Sequence, residues 1–231
     1  MWQEQDRNAV EDVASGVYER ERPLREGEVV LDIGAHVGSF TVRAMERVGR
    51  GGAVVAFEPE PRNIAQWRER VEEYARGGRR NAIVSATPRP GKACLVEAAA
   101  WDADARVAFH CNSAHTGGHS VIRNHQHDGE VQVMAVDIGS WLAQRRLRPD
   151  FVKIDTEGAE TRILASLLRA GWRPYVAYEA HSVELYHECR ALLEAYGYKV
   201  TPKEEWVGVC YGKCGMNHEL RTNKHESGIE I

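Results

Sequence analysis

Val30-Leu31-Asp32-Ile33-Gly34-Ala35-His36-Val37-Gly38 is the stretch on which the fold turns. Residues 29–33 form a short apolar run rich in β-branched side chains, which reads as a strand buried on both faces, and the run stops at a glycine. Gly34 permits a tight turn and leaves space for a ligand where a Cβ would stand, and Gly38 lets the following helix pack closely. Strand, glycine turn and helix in that order are the start of a parallel α/β sheet.

Working outward, 38–48 reads as the first helix, 53–57 as a second strand and 60–76 as a second helix with Ile64, Trp67 and Val71 on one side. Upstream, Ala9, Val10, Val13, Ala14 and Val17 have helical spacing, which predicts an N-terminal helix over 4–22. Downstream of the loop 77–91, a third strand is expected at 93–100, followed by a hairpin of 106–111 with 131–136 around a polar loop rich in histidine. Alternation then resumes: helix 138–145, strand 151–155, helix 159–170, strand 175–180 and helix 183–196. A terminal hairpin of 198–200 with 206–211 precedes a polar tail. Trp67, Trp141, Trp172 and Trp206 sit in apolar patterns and read as core.

The chain of 231 residues is 43% hydrophobic and 28% charged, with a formal net charge of −4, as for a soluble globular protein. One domain over 1–231 is expected, with a helical extension at 1–25, a core at 31–181 and the hairpin and tail at 198–231. The N-terminus is dense in Glu, Asp and Arg without an apolar run, which argues against a secretory signal or membrane anchor and for the cytoplasm. Five scattered cysteines are an odd number and do not form a disulfide framework. Cys210, Cys214 and His218 have the look of a zinc spacing, but a structural site needs four ligands, and His225 or a loop histidine would have to complete it. Arginines interleaved with acids disfavour broad nucleic-acid binding; a ribose-methylating variant would use Arg79, Arg80, Arg89 and Lys92 as a basic rim.

The second strand ends Val55-Ala56-Phe57-Glu58-Pro59, which puts a carboxylate at the end of the strand adjacent to the glycine turn. Such an acid can accept both hydroxyls of a ribose. A nicotinamide dinucleotide would use the same acid, but its fingerprint needs three glycines as GxGxxG, and Gly34-Ala35-His36-Val37-Gly38 lacks the first close pair. An adenosine without a diphosphate fits better.

Three blocks in order resemble the FkbM-type family of S-adenosylmethionine-dependent methyltransferases. They are residues 30–41 (VLDIGAHVGSFT), residues 56–61 (AFEPEP) and residues 150–160 (DFVKIDTEGAE). His36 departs from the smaller or amidic residues usual at its turn position, and 77–92 and 110–128 match no pattern of the family. The resemblance implies a Rossmann-like class I methyltransferase fold. That is a mostly parallel seven-stranded sheet with helices on both faces and an antiparallel C-terminal hairpin. It implies S-adenosylmethionine held by Asp32, Gly34, Ala35, His36, Gly38, Glu58 and Pro59, with Asp32 toward the cofactor's ammonium and Trp101 bordering the adenine. It implies O-methylation of a hydroxyl on a sugar, polyketide or related small metabolite. The acceptor could instead be a nucleic-acid ribose, amine or peptide, or the chain could be a non-catalytic cofactor-binding or zinc-stabilised module.

Methyl transfer from a sulfonium is an in-line displacement, so the protein must align nucleophile, methyl and sulfur and exclude water. An alcohol also needs a base for its proton. Asp155, Glu157 and His181 fall at the carboxyl ends of strands, where ligands of doubly wound sheets bind. His181 or Asp155 is the expected base, with Lys153 on the same strand parity as Asp155 and able to pair with it. The plain alternative for Lys153 and Asp155 is a structural ion pair, and for Glu157 an acid at a helix N-terminus; Glu160 reads as structural. No metal ligand set is assigned, although Asp155, Glu157 and His181 are of types that would accept a magnesium ion. His115, His119, His125 and His127 lie in a loop placed to cover the site as a lid. A homo-oligomer is compatible with all of this.

Overall fold

The computed structural model describes residues 13, 15–77, 83–84, 87–112, 118–122, 128–201 and 208–215. The opening motif forms β1 (Val29–Ile33) and α1 (Ser39–Val48), followed by β2 (Ala53–Phe57), α2 (Pro61–Arg76), β3 (Ile83–Val84) and β4 (Lys92–Val96). Next come β5 (Ala99–Trp101), β6 (Ala105–Cys111) and β7 (Gly129–Asp137). The second half comprises α3 (Ile138–Gln144), β8 (Phe151–Ile154), α4 (Glu160–Arg169), β9 (Tyr175–Ala180), α5 (Val183–Ala195), β10 (Tyr198–Val200) and β11 (Gly208–Cys214).

The main sheet has the order β10-β11-β9-β8-β1-β2-β4-β3. Its pairings are parallel except where β11 runs against β9 and β10. This is the expected class I architecture; beyond the seven strands it carries the two-residue β3 at one edge. Strand alternation distributes the core. Leu31, Ile33, Val55 and Phe57 face one layer with Ile138, Leu142, Ile163 and Leu193. Val30, Val54 and Ala56 face the other, with Phe40, Ala44, Met45, Trp67 and Val71. Both faces of the sheet are therefore covered by helices, which is why its central strands read as unbroken apolar runs.

Local chemistry fixes the helix starts. Glu60 caps α2 by accepting from the Asn63 amide at 2.7 Å, with Pro61 in the first turn. Ser182 caps α5 by accepting from the Leu185 amide at 3.1 Å. Among the described residues no helix is long and apolar enough to cross a membrane.

Three expectations change. Within the described part of 4–22, Val13 and Ser15 are helical as expected, but Gly16 in the left-handed region (φ 78°) ends that helix early and the chain continues as a short 3-10 turn, Val17–Glu19; residues 1–12 and 14 lie outside the described residues. The third strand divides after Val96: β4 stays in the main sheet, whereas β5 pairs with β7 in a second sheet of order β5-β7-β6. Cys210 and Cys214 stand four residues apart on the extended β11, a span of roughly 13 Å at the usual rise per residue. That is too far for two thiolates on one zinc, and Cys210 is buried in the core. His218 and His225 lie outside the described residues, as do Trp206, Arg79 and Arg80. Arg89 and Lys92 sit at the amino-terminal end of β4, where Lys92 pairs with Ala53 at the start of β2, so they form no rim at the sheet's carboxyl edge.

Candidate active site

A cavity of about 470 Å³ opens at the carboxyl ends of β1, β2, β8 and β9. Its floor is made by the turns after those strands, and its roof by Val13, Val17 and Tyr18 from the N-terminal strap and by Phe109, His119 and Val121 from the β6–β7 arm. Of the residues expected from the sequence, Gly34, Ala35, His36, Glu58, Pro59, Lys153, Asp155, Glu157 and His181 line it.

Asp32, Gly38 and Trp101 are absent from the lining. Asp32 is wholly buried beneath the floor; its Oδ2 accepts from Thr41 Oγ1 at 2.6 Å, and its Oδ1 lies 3.4 Å from Lys153 Nζ. The parallel register sets Asp32 beside Lys153, so this carboxylate answers an internal cation and not a ligand's ammonium. Burial raises the Asp32 pKa while Lys153 opposes the rise. Gly38 takes φ 84°, and a Cβ there would come within 2.7 Å of Trp67 Cδ1, so its role is helix packing. Trp101, at the end of β5, lies under the Arg162 guanidinium, 4.9 Å from its ring, and Ala99 and Ala100 of the same strand line the cavity in its place. Gly34 is also required for a reason other than the expected one. A Cβ on it would stand 1.8 Å from the Asp155 carbonyl oxygen, so its bareness lets the two turns of the floor cross.

At the β2 corner, Glu58 Oε2 accepts from the His36 amide at 2.8 Å, and Oε1 accepts from the Glu60 amide at 3.0 Å and from Asn63 Nδ2 at 3.3 Å. His36 reaches this position by adopting φ 50°. Burial pushes the Glu58 carboxyl up to about 7 against the pull of those donors. Beside it, Asn63 Oδ1 is buried with no hydrogen-bond partner among the described residues. An acceptor in that state next to a carboxylate suits a ligand that brings several hydroxyl or amine donors.

At the β8 and β9 corner, Lys153 Nζ donates to the Gly34 carbonyl at 2.6 Å and lies 3.5 Å from Asp155 Oδ2. Burial works against ionisation of Asp155, but Lys153 and His181 outweigh it and hold its carboxyl below the usual range. His181 is surrounded by acids: Nε2 is 3.5 Å from Asp155 Oδ1 and 3.3 Å from Glu157 Oε1, and Nδ1 is 3.5 Å from Glu160 Oε1. Burial lowers the His181 pKa, yet the bonds to Glu157 and Glu160 and the charge of Asp155 carry it up to about 11. The acids on both sides of the ring thus favour the imidazolium form of His181. That form works against the part of base expected of it, because a ring with both nitrogens protonated has no lone pair to offer. Asp155, Glu157 and His181 bring ligand-type atoms within 4.8 Å of one another, and in this structure the ring faces the two carboxylates directly. The group is an ion-pair network. Glu160, wholly buried, ties its loop by accepting from the Thr156 amide at 2.9 Å and the Gly158 amide at 3.0 Å, the structural part expected of it.

Residues 32–200 match the family model described as the methyltransferase FkbM domain. The chain belongs to this FkbM-type family of S-adenosylmethionine-dependent methyltransferases. It is also 29% identical over 202 residues to the 31-O-demethyl-FK506 methyltransferase FkbM of Streptomyces tacrolimicus, covering 79% of this chain and 76% of that one. Among solved structures it resembles a precorrin-6y C5,15-methyltransferase from Geobacter metallireducens, with TM-score 0.52 and 17% identity over 88% of this chain and 87% of that one. It likewise resembles Aeropyrum pernix fibrillarin bound to S-adenosyl-L-methionine, with TM-score 0.51 and 14% identity over 87% and 74% of the two chains. Those two likenesses speak for the fold.

The three FkbM-type blocks all deliver residues to the cavity floor. The residues that the sequence reading missed come from elsewhere, Tyr18 from the strap, Asn63 from α2 and Glu179 from β9, whereas His119 of the β6–β7 arm lines the cavity from the loop expected to cover it. Glu179 had one signal, a lone acid near the carboxyl end of an apolar strand; Tyr18 had none. His119 is held by the Asn112 amide, which donates to its Nδ1 at 2.9 Å. His115, His125 and His127 lie outside the described residues.

Proposed function

We propose that this FkbM-type methyltransferase binds S-adenosylmethionine in the cavity and transfers its methyl group to a hydroxyl oxygen of a sugar, polyketide or related small metabolite in the cytoplasm. The observation that carries the reading is the pair of corners in one cavity: a buried donor-hungry carboxylate, Glu58, with Asn63 beside it, and an acidic reaction corner at Asp155. Asn63 Oδ1 and Glu58 fit the ribose and adenine edge of the cofactor, and the acids around Lys153 and His181 fit its cationic end. When bound, the cofactor supplies an electrophilic methyl on a sulfonium.

The chain's own residues do the rest. Gly34, Ala35, His36, Glu58 and Pro59 hold the cofactor, while the apolar roof of Val17, Phe109 and Val121 excludes water. Asp155, ionised at neutral pH, accepts the hydrogen bond of the acceptor hydroxyl and takes its proton as the carbon–oxygen bond forms. Lys153 and Glu157 hold Asp155 and His181 in place. The relative from S. tacrolimicus is named a 31-O-demethyl-FK506 methyltransferase, which supports oxygen as the nucleophile.

Calorimetric titration with S-adenosylmethionine, S-adenosylhomocysteine and NAD tests the cofactor reading. Micromolar binding of the first two and none of NAD is expected; heat from NAD alone would overturn it. A screen of hydroxylated macrolides and glycosides against amines, peptides and RNA then tests the acceptor class. Methyl transfer confined to the amines, peptides or RNA would overturn the hydroxyl assignment.

A further inference from the structure

The Tyr18 hydroxyl lies 3.0 Å from Asp155 Oδ2 and 2.9 Å from Glu179 Oε2. A phenol has one proton, and two ionised carboxylates offer only lone pairs, so one hydroxyl satisfies one of them and turns its own oxygen toward the other. A single additional proton resolves the conflict: protonated Glu179 donates to the Tyr18 oxygen, and Tyr18 donates to Asp155. The surroundings decide which acid holds it. Asp155 has Lys153 and His181 each at 3.5 Å, whereas among the described residues Glu179 has no Lys, Arg or His at ion-pair distance. On the other side, the register partner of Glu179 is Val209 of β11, which brings no charge. Burial and the charge of Asp155 raise the Glu179 carboxyl above its ordinary range, against weaker pulls from His181, Tyr18 and Lys153.

We propose that Tyr18 and Glu179 are positioning residues that form a proton seat coupled to the cofactor's charge. In the free protein Glu179 is protonated and Tyr18 donates to Asp155. A cationic sulfonium in the cavity favours the ionised carboxylate, and the Glu179 proton leaves to solvent. Tyr18 then donates to Glu179, and Asp155 Oδ2 loses its donor and is open to the acceptor hydroxyl. One O–H bond breaks, the proton goes to buffer, and no other bond changes. The base is thus freed only when the methyl donor is present. This inference rests on the methyltransferase reading above.

Proton release on ligand binding, obtained from binding enthalpies in buffers of different ionisation heat at pH 7, tests it without an acceptor. S-adenosylhomocysteine shares the ribose of the methyl donor but lacks its positive sulfur, so protons displaced from Glu58 appear with both ligands. S-adenosylmethionine is expected to release more, by up to about one proton. The difference is expected to vanish in Glu179→Gln and to persist in Glu58→Gln. An independent check on the unmodified protein is infrared difference spectroscopy, in which a second carboxylic-acid carbonyl band should disappear with the sulfonium only. Equal release by the two ligands, or a difference unchanged in Glu179→Gln, would overturn the proton seat and leave the methyltransferase reading standing. Failure of both ligands to bind would overturn that reading and the seat together.

Discussion

The two corners of the cavity each hold a carboxylate out of water, and they do so by opposite means. Glu58 is met by neutral donors: two backbone amides and the Asn63 side chain. Asp155 is met by two cations and a phenol. Neutral donors do not offset the loss of hydration, so Glu58 is pushed up to about 7. Cations do, and Asp155 stays below the ordinary range. The difference teaches what each corner is built for. One acid stands ready for ligand donors, and the other is kept ionised for a proton.

Removing the cation that both the floor and Asp155 depend on gives the largest expected effect. Lys153→Met would leave Asp32 wholly buried without its partner, a change that typically costs about 3–5 kcal/mol. Denaturant unfolding should show that loss. A variant with near-normal stability would mean that Asp32 is protonated and that the pair does not hold the floor. Next in size, Asp155→Asn should lower turnover by roughly 10²–10⁴ while S-adenosylhomocysteine still binds. Turnover within tenfold of the parent would remove Asp155 from the role of base.

Glu58→Gln attacks the other corner and should spare the first. Loss of a charged acceptor for ribose hydroxyls predicts a weakening of S-adenosylhomocysteine binding by about 1–3 kcal/mol, measured by calorimetry. The parent protein adds a pH signature. Hydroxyl donors favour the ionised carboxylate, and Glu58 is protonated below about 7. The proton must then leave before the ligand binds, so affinity should be level above that pH and fall toward tenfold per unit below it. Glu58→Gln should flatten the curve, and an unchanged slope would place the titrating group elsewhere. The sulfide ligand is the right one here, since it carries no sulfonium charge to involve Glu179.

The corners also differ in how far the sequence discloses them. The nine residues from Val30 to Gly38 place β1 and the turn, and Glu58 takes its donors from His36, Glu60 and Asn63, all within 22 residues. Strand periodicity and one acid at a strand end are enough to find the turn and the carboxylate of that corner, though not Asn63 beside it. Tyr18 meets Asp155 across 137 residues and Glu179 across 161, contacts that arise only once the strap folds over the sheet. No local pattern encodes them. The misplacement of Asp32 and Trp101 has the same root. Periodicity tells which residues are buried, but not that Lys153 would answer Asp32 beneath the floor or that β5 would leave the main sheet after Val96.

The smallest expected effect tests whether the reaction corner is braced from outside the main sheet. Ser120, wholly buried on the β6–β7 arm, donates to the Glu157 carbonyl at 2.8 Å and accepts from the Ile122 amide at 2.9 Å. Its backbone is fixed in turn by reciprocal bonds with His110 at 2.7 and 3.0 Å. Glu157 holds φ 55°, a conformation disfavoured for a residue with a side chain, and it persists where surrounding contacts impose it. Ser120→Ala removes one of those contacts and should cost about 1 kcal/mol of stability. It should also speed hydrogen exchange at the amides of Glu157 and Gly158 while leaving S-adenosylhomocysteine affinity within twofold. If affinity fell instead and the loop's exchange stayed slow, the arm would be bracing the cofactor corner, and the division between the two corners would fail at the place where it depends on a single hydroxyl.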